Sequence, residues 1–209
     1  MRLTKLGHSC VRLEKDGAAL VIDPGGFTDA AAALDAAAAV LVTHEHTDHL
    51  DDGAIRAAMA ADPALTLWAN PSVSGRFTEF GTRVHEVAHG DAVSISGFDV
   101  HVYGEQHAVI YREIPVVTNT GFLVDGAVFH PGDSLTIPEE PAPTLLVPVS
   151  APWLKLSEMI DYYRAVAPAR GYAIHDAILN ENGIGLVSRL MPLAGPGLTR
   201  VEPGTSVEL

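Results

Sequence analysis

Short apolar runs separated by turn signals occupy the first part of the chain. Residues 3–6 and 10–13 read as strands with Gly7-His8-Ser9 between them, and residues 18–22 as a third strand stopped by Asp23-Pro24-Gly25-Gly26. The alanine-rich stretch 29–39 predicts a helix of strong formers. Val40-Leu41-Val42 reads as a buried strand, residues 51–61 as a helix ended by Pro63, and residues 65–69 as a strand. Asn70-Pro71-Ser72 then predicts a turn into a helix running to Phe80, with Ser72 as its cap. Residues 93–103 predict a strand pair about Ser96-Gly97. Its second arm alternates Phe98, Val100 and Val102 with Asp99, His101 and Tyr103, the period of a half-buried strand. Asp125-Gly126 predicts a hairpin between residues 116–124 and 127–129. Beyond it come a buried strand at 145–149, an amphipathic helix at 156–166 stopped by Pro168, a strand at 171–174, a helix at 184–193 and a last edge segment at 201–209.

No linker, low-complexity tract or internal repeat divides this pattern, so a single domain over residues 1–209 is expected. The pattern by itself gives a mixed α/β (α+β) class. The order of its elements suggests two sheets packed face to face with helices outside. Hydrophobic residues make up 47% of the 209 positions, as in a chain with a sizeable core. The formal charge of −13, from 26 acidic against 13 basic residues, argues against a nucleic-acid backbone as the main partner. A small anionic substrate stays compatible with it, because bound metal reverses the local field. One cysteine, Cys10, excludes an internal disulfide and a cysteine-rich zinc site; it is expected to pack as a small hydrophobe. Asp29, Asp35 and Thr43-His44 break the alanine-rich stretch well short of the ~20 residues of a membrane span. Without a signal-like start, a cytoplasmic, non-membrane protein is expected.

Chemistry concentrates in Thr43-His44-Glu45-His46-Thr47-Asp48-His49, between the predicted strand at 40–42 and the helix at 51–61. Imidazole and carboxylate are the usual ligands of zinc and related ions. In extended backbone His44 and His46 point the same way, and a following turn must redirect Asp48 and His49. That arrangement suits two neighbouring metals better than one. Position 48 is aspartate, so the helical His-Glu-x-x-His motif is absent. Four donors in one loop do not complete two ions, each of which takes about three protein ligands. His107, Asp133 and His175 each lie just past an apolar strand, where a sheet scaffold gathers functional groups.

The 43–49 stretch resembles the signature of the metallo-β-lactamase superfamily, and the likeness continues through Gly104-Glu105-Gln106-His107-Ala108, Pro131-Gly132-Asp133-Ser134 and Ala173-Ile174-His175. The resemblance implies a four-layer αββα sandwich of two mixed sheets flanked by helices. It implies that His44, His46 and His107 hold one metal, that Asp48, His49 and His175 hold another, and that Asp133 bridges them. Leu6-Gly7-His8-Ser9-Cys10 and Ile22-Asp23-Pro24 are similar to the branch that includes ascorbate-6-phosphate lactonase. His8 is accordingly a candidate for the surroundings of the site or for substrate contact, with a purely structural role as the alternative. His101 reads as a surface residue or one behind the ligands, His85 and His89 as solvated, and His130 carries no assignment as a ligand.

These residues imply hydrolysis of a small ester, lactone or phosphodiester by water activated between two divalent ions, zinc first, with manganese or iron possible. Asp48 is the expected proton acceptor. An iron-dependent oxygenase on the same fold is the alternative, and a metal-binding module without catalysis a third reading. The flavodiiron type of the superfamily carries glutamate where this chain has His46, which speaks against it. No Gly-x-Ser-x-Gly elbow supports a serine hydrolase. Specificity is expected from loops near Phe27, residues 110–114 and residues 150–154.

Overall fold

The computed structural model describes residues 1–209, and its strands form two seven-stranded mixed sheets. Arg2–Gly7 (β1), Cys10–Lys15 (β2) and Ala18–Ile22 (β3) pair antiparallel in sequence order. Ala39–Val42 (β4), Thr66–Ala69 (β5) and Val84–Glu86 (β6) then add in parallel. The second sheet repeats the plan. Ala92–Ile95 (β7), Phe98–Tyr103 (β8), Gly121–Val124 (β9) and Val128–His130 (β10) are antiparallel neighbours. Thr144–Pro148 (β11), Arg170–Ile174 (β12) and Leu198–Thr199 (β13) follow in parallel. Ser206–Glu208 (β14) returns to pair with β1 and completes the first sheet. The repeat is one of topology, and the residue pattern gave no sign of it.

Three cores make the layers. Between the sheets, Leu3, Leu13, Leu20 and Leu41 of the first meet Phe98, Val100, Phe122 and Leu146 of the second. On the outer face of the first sheet, Val40, Val42 and Leu67 pack on Ile55 and Met59 of Asp52–Ala61 and on Val73 of Pro71–Ser74. On the outer face of the second, Leu145, Val147 and Ala173 pack on Met159, Tyr162 and Tyr163 of Leu156–Val166 and on Val187 of Glu181–Leu190. In chain order the helices are α1 (Ala30–Ala33), α2 (Asp52–Ala61), α3 (Pro71–Ser74), α4 (Leu156–Val166) and α5 (Glu181–Leu190). Val40, Leu41 and Val42 therefore serve two cores by alternation, which is why a strand covered on both faces reads as an unbroken apolar run. This is the four-layer sandwich expected. No helix is long and apolar enough to cross a membrane.

Local readings shift where tertiary contacts override propensity. The helix expected over 29–39 is only α1: Asp29 caps its start, Arg12 takes the carbonyls of Ala33 and Asp35, and Ala39 is drawn into β4 beside Leu20 and Thr66. Asn70, not Ser72, caps α3, accepting from Ser72 N–H at 3.1 Å with Pro71 at the first helical position. That helix stops at Ser74, and a 3₁₀ segment over Thr78–Arg83 takes the rest of the stretch expected to be helical. The strand expected over 116–124 begins only at Gly121, because Asn119 and Thr120 are tied to the candidate site.

Within each sheet β1, β3 and β4, and likewise β8, β10 and β12, run in one direction, so their C-terminal ends share an edge. The two edges are stitched together. His175 N–H donates to His8 O at 3.0 Å, and Thr120 N–H donates to Thr43 O at 2.9 Å. Lys5, buried on the core face of β1 beside Leu3, adds an ion pair to Asp176 at 2.7 Å. Burial holds the Lys5 ammonium below its usual range, and Asp176 partly offsets that cost.

Candidate metal centre

β4 delivers the histidine-rich loop. Beyond β4 the chain bends at Thr43 and Glu45 instead of continuing extended, and His44 Nε2 and His46 Nδ1 still come within 3.1 Å. The chain then turns: His49 and Leu50 N–H groups donate to His46 O at 3.0 and 2.9 Å, which swings Asp48 and His49 inward. Asp51 ends the loop by capping α2, accepting from Ala54 N–H at 2.9 Å. The Asp23-Pro24-Gly25 turn lies hard against this loop. A Cβ on Gly25 would sit 1.9 Å from Asp48 O, so only glycine fits there.

The other sheet contributes side chains singly. His107 follows β8, anchored by its N–H to Val117 O at 3.0 Å. Asp133 follows β10 through Gly132, whose φ of 62° and tight seat against Asn119 and Thr43 exclude a side chain. Asn119 Oδ1 accepts from Asp133 N–H at 2.9 Å and fixes the carboxylate's backbone. His175 follows β12 with a φ of 59°, in the left-handed region.

Hydrogen bonds on the outer ring nitrogens set the tautomers. Asp23 Oδ2 accepts from Thr43 Oγ1–H and from His49 Nδ1–H, each at 2.7 Å. Because the Thr43 hydroxyl spends its proton on Asp23, it can only accept from His44 Nδ1–H, at 3.0 Å. His107 Nδ1–H and His175 Nδ1–H donate to Ala108 O and Ser150 O, both at 2.5 Å. The Nε2 atoms of His44, His49, His107 and His175 are thereby left with free lone pairs facing one shared space.

All seven sequence-predicted ligands meet there. The donor atoms of His44, His46 and His107 lie within 4.8 Å of one another, as do those of His44, His49 and Asp133, and those of His8, Asp48, His49 and His175. Asp133 reaches across the groups: Oδ1 is 3.0 Å from His49 Nε2, and Oδ2 is 3.3 Å from His107 Nε2 and 3.1 Å from His175 Nε2. Trp153 Nε1–H donates to Oδ2 at 2.9 Å. The Nε2 atoms of His49, His107 and His175 and Asp133 Oδ1 are buried yet make no aligned hydrogen bond. Buried polar atoms without partners are costly. Divalent cations at the centre of this set would satisfy all of them, so the donors fit a metal-binding role.

The electrostatics point the same way. Burial pushes His44 far below its ordinary value, whereas at His49 the carboxylates of Asp133 and Asp23 outweigh burial and raise it well above. Burial also disfavours charge on His175, but hydrogen bonds to Asp133 and Asp48 bring it up to about 9. Burial would raise Asp48 and Asp133, yet the surrounding imidazoles hold both carboxyls below the usual range. Without metal, the centre recruits protons to supply positive charge between its carboxylates.

His8 is buried beside the centre with a φ of 39°. Its Nδ1 accepts from Ala177 N–H at 3.3 Å, so the ring proton lies on Nε2, 3.2 Å from Asp48 Oδ2. The ring therefore donates to Asp48. His130 is fully buried and bridges Gly132 N–H and Ser9 O, away from the donor groups. His101 is partly exposed and pairs with Glu140, and His85 stacks on Trp68. Sequence reasoning missed the roles of Asp23, Asn119 and Trp153. Asp23 had a usable signal: it too stands immediately past an apolar strand.

Comparison with known proteins agrees with this fold. Residues 2–175 match the family model described as beta-lactamase superfamily domain. Protein Rv0786c of Mycobacterium tuberculosis is 38% identical over 191 residues, 89% of each chain. A UPF0173 metal-dependent hydrolase of Azorhizobium caulinodans is 33% identical over 119 residues, 52% of this chain and 50% of that one. The structure of the metallo-beta-lactamase fold protein YhfI from Bacillus subtilis superposes with a TM-score of 0.75 at 16% identity, covering 99% of this chain and 98% of that one. On the family match, the sandwich and the site that its strand ends build, the chain belongs to the metallo-β-lactamase superfamily.

Proposed function

We propose that the chain, as a metal-dependent hydrolase of this superfamily, holds two divalent ions and cleaves a small ester, lactone or phosphodiester. His44, His46 and His107 would hold one ion, Asp48, His49 and His175 the other, with Asp133 shared. The observation that carries this is Asp133, whose two oxygens lie within 3.3 Å of nitrogens from both groups while Oδ1 lacks any hydrogen bond. Zinc suits the nitrogen-rich donor set best, with manganese or iron as the other candidates.

When bound, such ions make water nucleophilic near neutral pH and polarise the scissile group. The chain's own residues do the rest. Asp23 and the carbonyls of Ala108 and Ser150 fix the imidazole orientations. Asp48 has a side chain 23% exposed, so it can take the water's proton and pass it to solvent. His8 Nε2–H holds Asp48 Oδ2, the oxygen that also faces His175 Nε2 at 3.4 Å. In ester cleavage the water oxygen bonds to the carbonyl carbon, the carbon–oxygen bond to the alcohol breaks, and the departing oxygen takes up a proton. Acid and alcohol are the products.

The test is a panel of lactones, thioesters and phosphodiesters assayed with zinc, manganese and iron forms. Hydrolysis that follows metal content supports the reading. Iron copurifying with oxygen-dependent turnover would support the oxygenase instead. Fully loaded protein without turnover on any class would point to a binding module.

A further inference from the structure

Nine large hydrophobic side chains are exposed, and only Leu186 and Leu193, on α5 and just beyond it, lie away from the loops that frame the metal centre. Phe27 is 54% exposed with its ring 5.1 Å from that of His8, and Gly26 N–H ties its loop to Thr47 O at 2.8 Å. Val109, 62% exposed, stands two residues past His107, and Tyr111 continues the same loop. Ile137 follows Asp133 by four residues and Ile178 follows His175 by three, each about half exposed. Scattered apolar residues on a surface mean little, but a set carried on the loops that also carry the ligands marks what that site receives.

The complementary observation is electrostatic. The rim loops carry two cations, Arg112 and Lys155, with side chains 78% and 80% exposed and each beside its own glutamate. Of the cations nearest the centre, buried Lys5 and part-buried Arg200 are both committed to Asp176 at 2.7 and 2.6 Å. No side chain at the rim offers the fixed guanidinium or ammonium that recognises a phosphate monoester. Glu45 and Glu105 on the ligand loops add negative charge. A phosphorylated lactone, the substrate of one lactonase in the branch that the Gly7-His8-Ser9 motif resembles, therefore meets no dedicated side-chain cation at this rim.

We propose that the substrate is an uncharged ester or lactone whose non-reacting part is an aliphatic chain or aromatic ring lying on Phe27, Val109, Tyr111, Ile137 and Ile178. This rests on the hydrolase reading above and narrows it. The rim then supplies substrate affinity by apolar contact, and discrimination comes from chain length rather than from charge.

The zinc-loaded protein should be assayed on p-nitrophenyl acetate, butyrate and octanoate, and on a sugar lactone with and without a phosphate. We expect kcat/KM to rise roughly twofold or more per added methylene, and the phosphorylated lactone to be the poorer of its pair. Phe27→Ser and Tyr111→Ser should flatten the chain-length dependence. Binding is read independently through Trp153 fluorescence in a Trp68→Phe background, where octanoate should bind at least tenfold more tightly than acetate. A flat ester series, preference for the phosphorylated lactone, or variants that leave the slope intact would overturn the proposal. So would a dimer in sedimentation at assay concentration with this rim at its interface. If neither an ester nor a lactone is cleaved, the ester and lactone part of the proposed function fails, and the fluorescence titration alone decides the apolar rim.

Discussion

In the first sheet one loop, residues 43–49, carries four of the seven candidate ligands, whereas in the second His107, Asp133 and His175 arrive one at a time from the ends of β8, β10 and β12. The two sheets share a strand plan, antiparallel pairs followed by parallel ones. They differ in how much of the fold a ligand needs. His44 and His46 are brought together by being two residues apart in one loop. Asp133 reaches them only once Gly132 is seated against Thr43 and Asn119. The first sheet's donors are thus a local feature, and the second sheet's are a consequence of tertiary structure. Metal binding and folding should be coupled mainly through the second set.

The largest expected effect is at Asp133. Asp133→Ala removes the carboxylate shared by the two groups while leaving the 43–49 loop intact. It should keep the fold, lose most of one metal equivalent and reduce turnover by roughly 100-fold or more. Retention of both metals and near-normal turnover, read together by elemental analysis and rate, would erase the distinction between the sheets.

Asp23→Ala tests the first sheet from behind. It leaves Thr43 and His49 without their buried acceptor. Metal affinity should fall roughly 10- to 100-fold, and stability by about 1–3 kcal/mol. Competition with a chelator and thermal unfolding measure the two effects, and unchanged affinity would show that local geometry alone suffices.

A pH prediction separates metal-free from loaded protein. In the metal-free protein His175 is raised from 6.5 to about 9 by Asp133 and Asp48 acting against burial. Its protonated form stabilises the fold fully below the lower value, and that contribution is lost as pH rises through the upper one. Bound metal displaces the proton, so affinity should increase across the same window. The melting temperature of chelated protein should fall over this range, and the gap between loaded and chelated protein should widen. A pH-independent gap would contradict the assignment of His175.

His101→Ala should do least. Its ring pairs with exposed Glu140, outside the donor groups, so metal content should be unchanged and stability within about 0.5 kcal/mol.

What could be read from the residues follows the same division. Buried strands such as β4 and β11 were legible because apolar runs bounded by turns leave few alternatives, and α4 because its apolar stripe and Pro168 agree. The 43–49 cluster was legible because its donors are adjacent. The short helices misled, since the alanines after Ala33 have high helix propensity but the sheet claims Ala39. Lys5 gave no sign of being buried, because its partner Asp176 lies on the other sheet. Asn119 and Trp153 were invisible for a related reason: their value lies in reaching Asp133, and nothing local in the chain records that.

Metal stoichiometry tests the central claim most directly. Wild-type protein and Asp133→Ala would be stripped, reloaded with excess zinc, desalted and assayed for metal per chain. The account predicts two tightly held ions in the wild type and about one in the variant. No more than one ion in the wild type after reloading would contradict it, and the seven donors would then serve a mononuclear site.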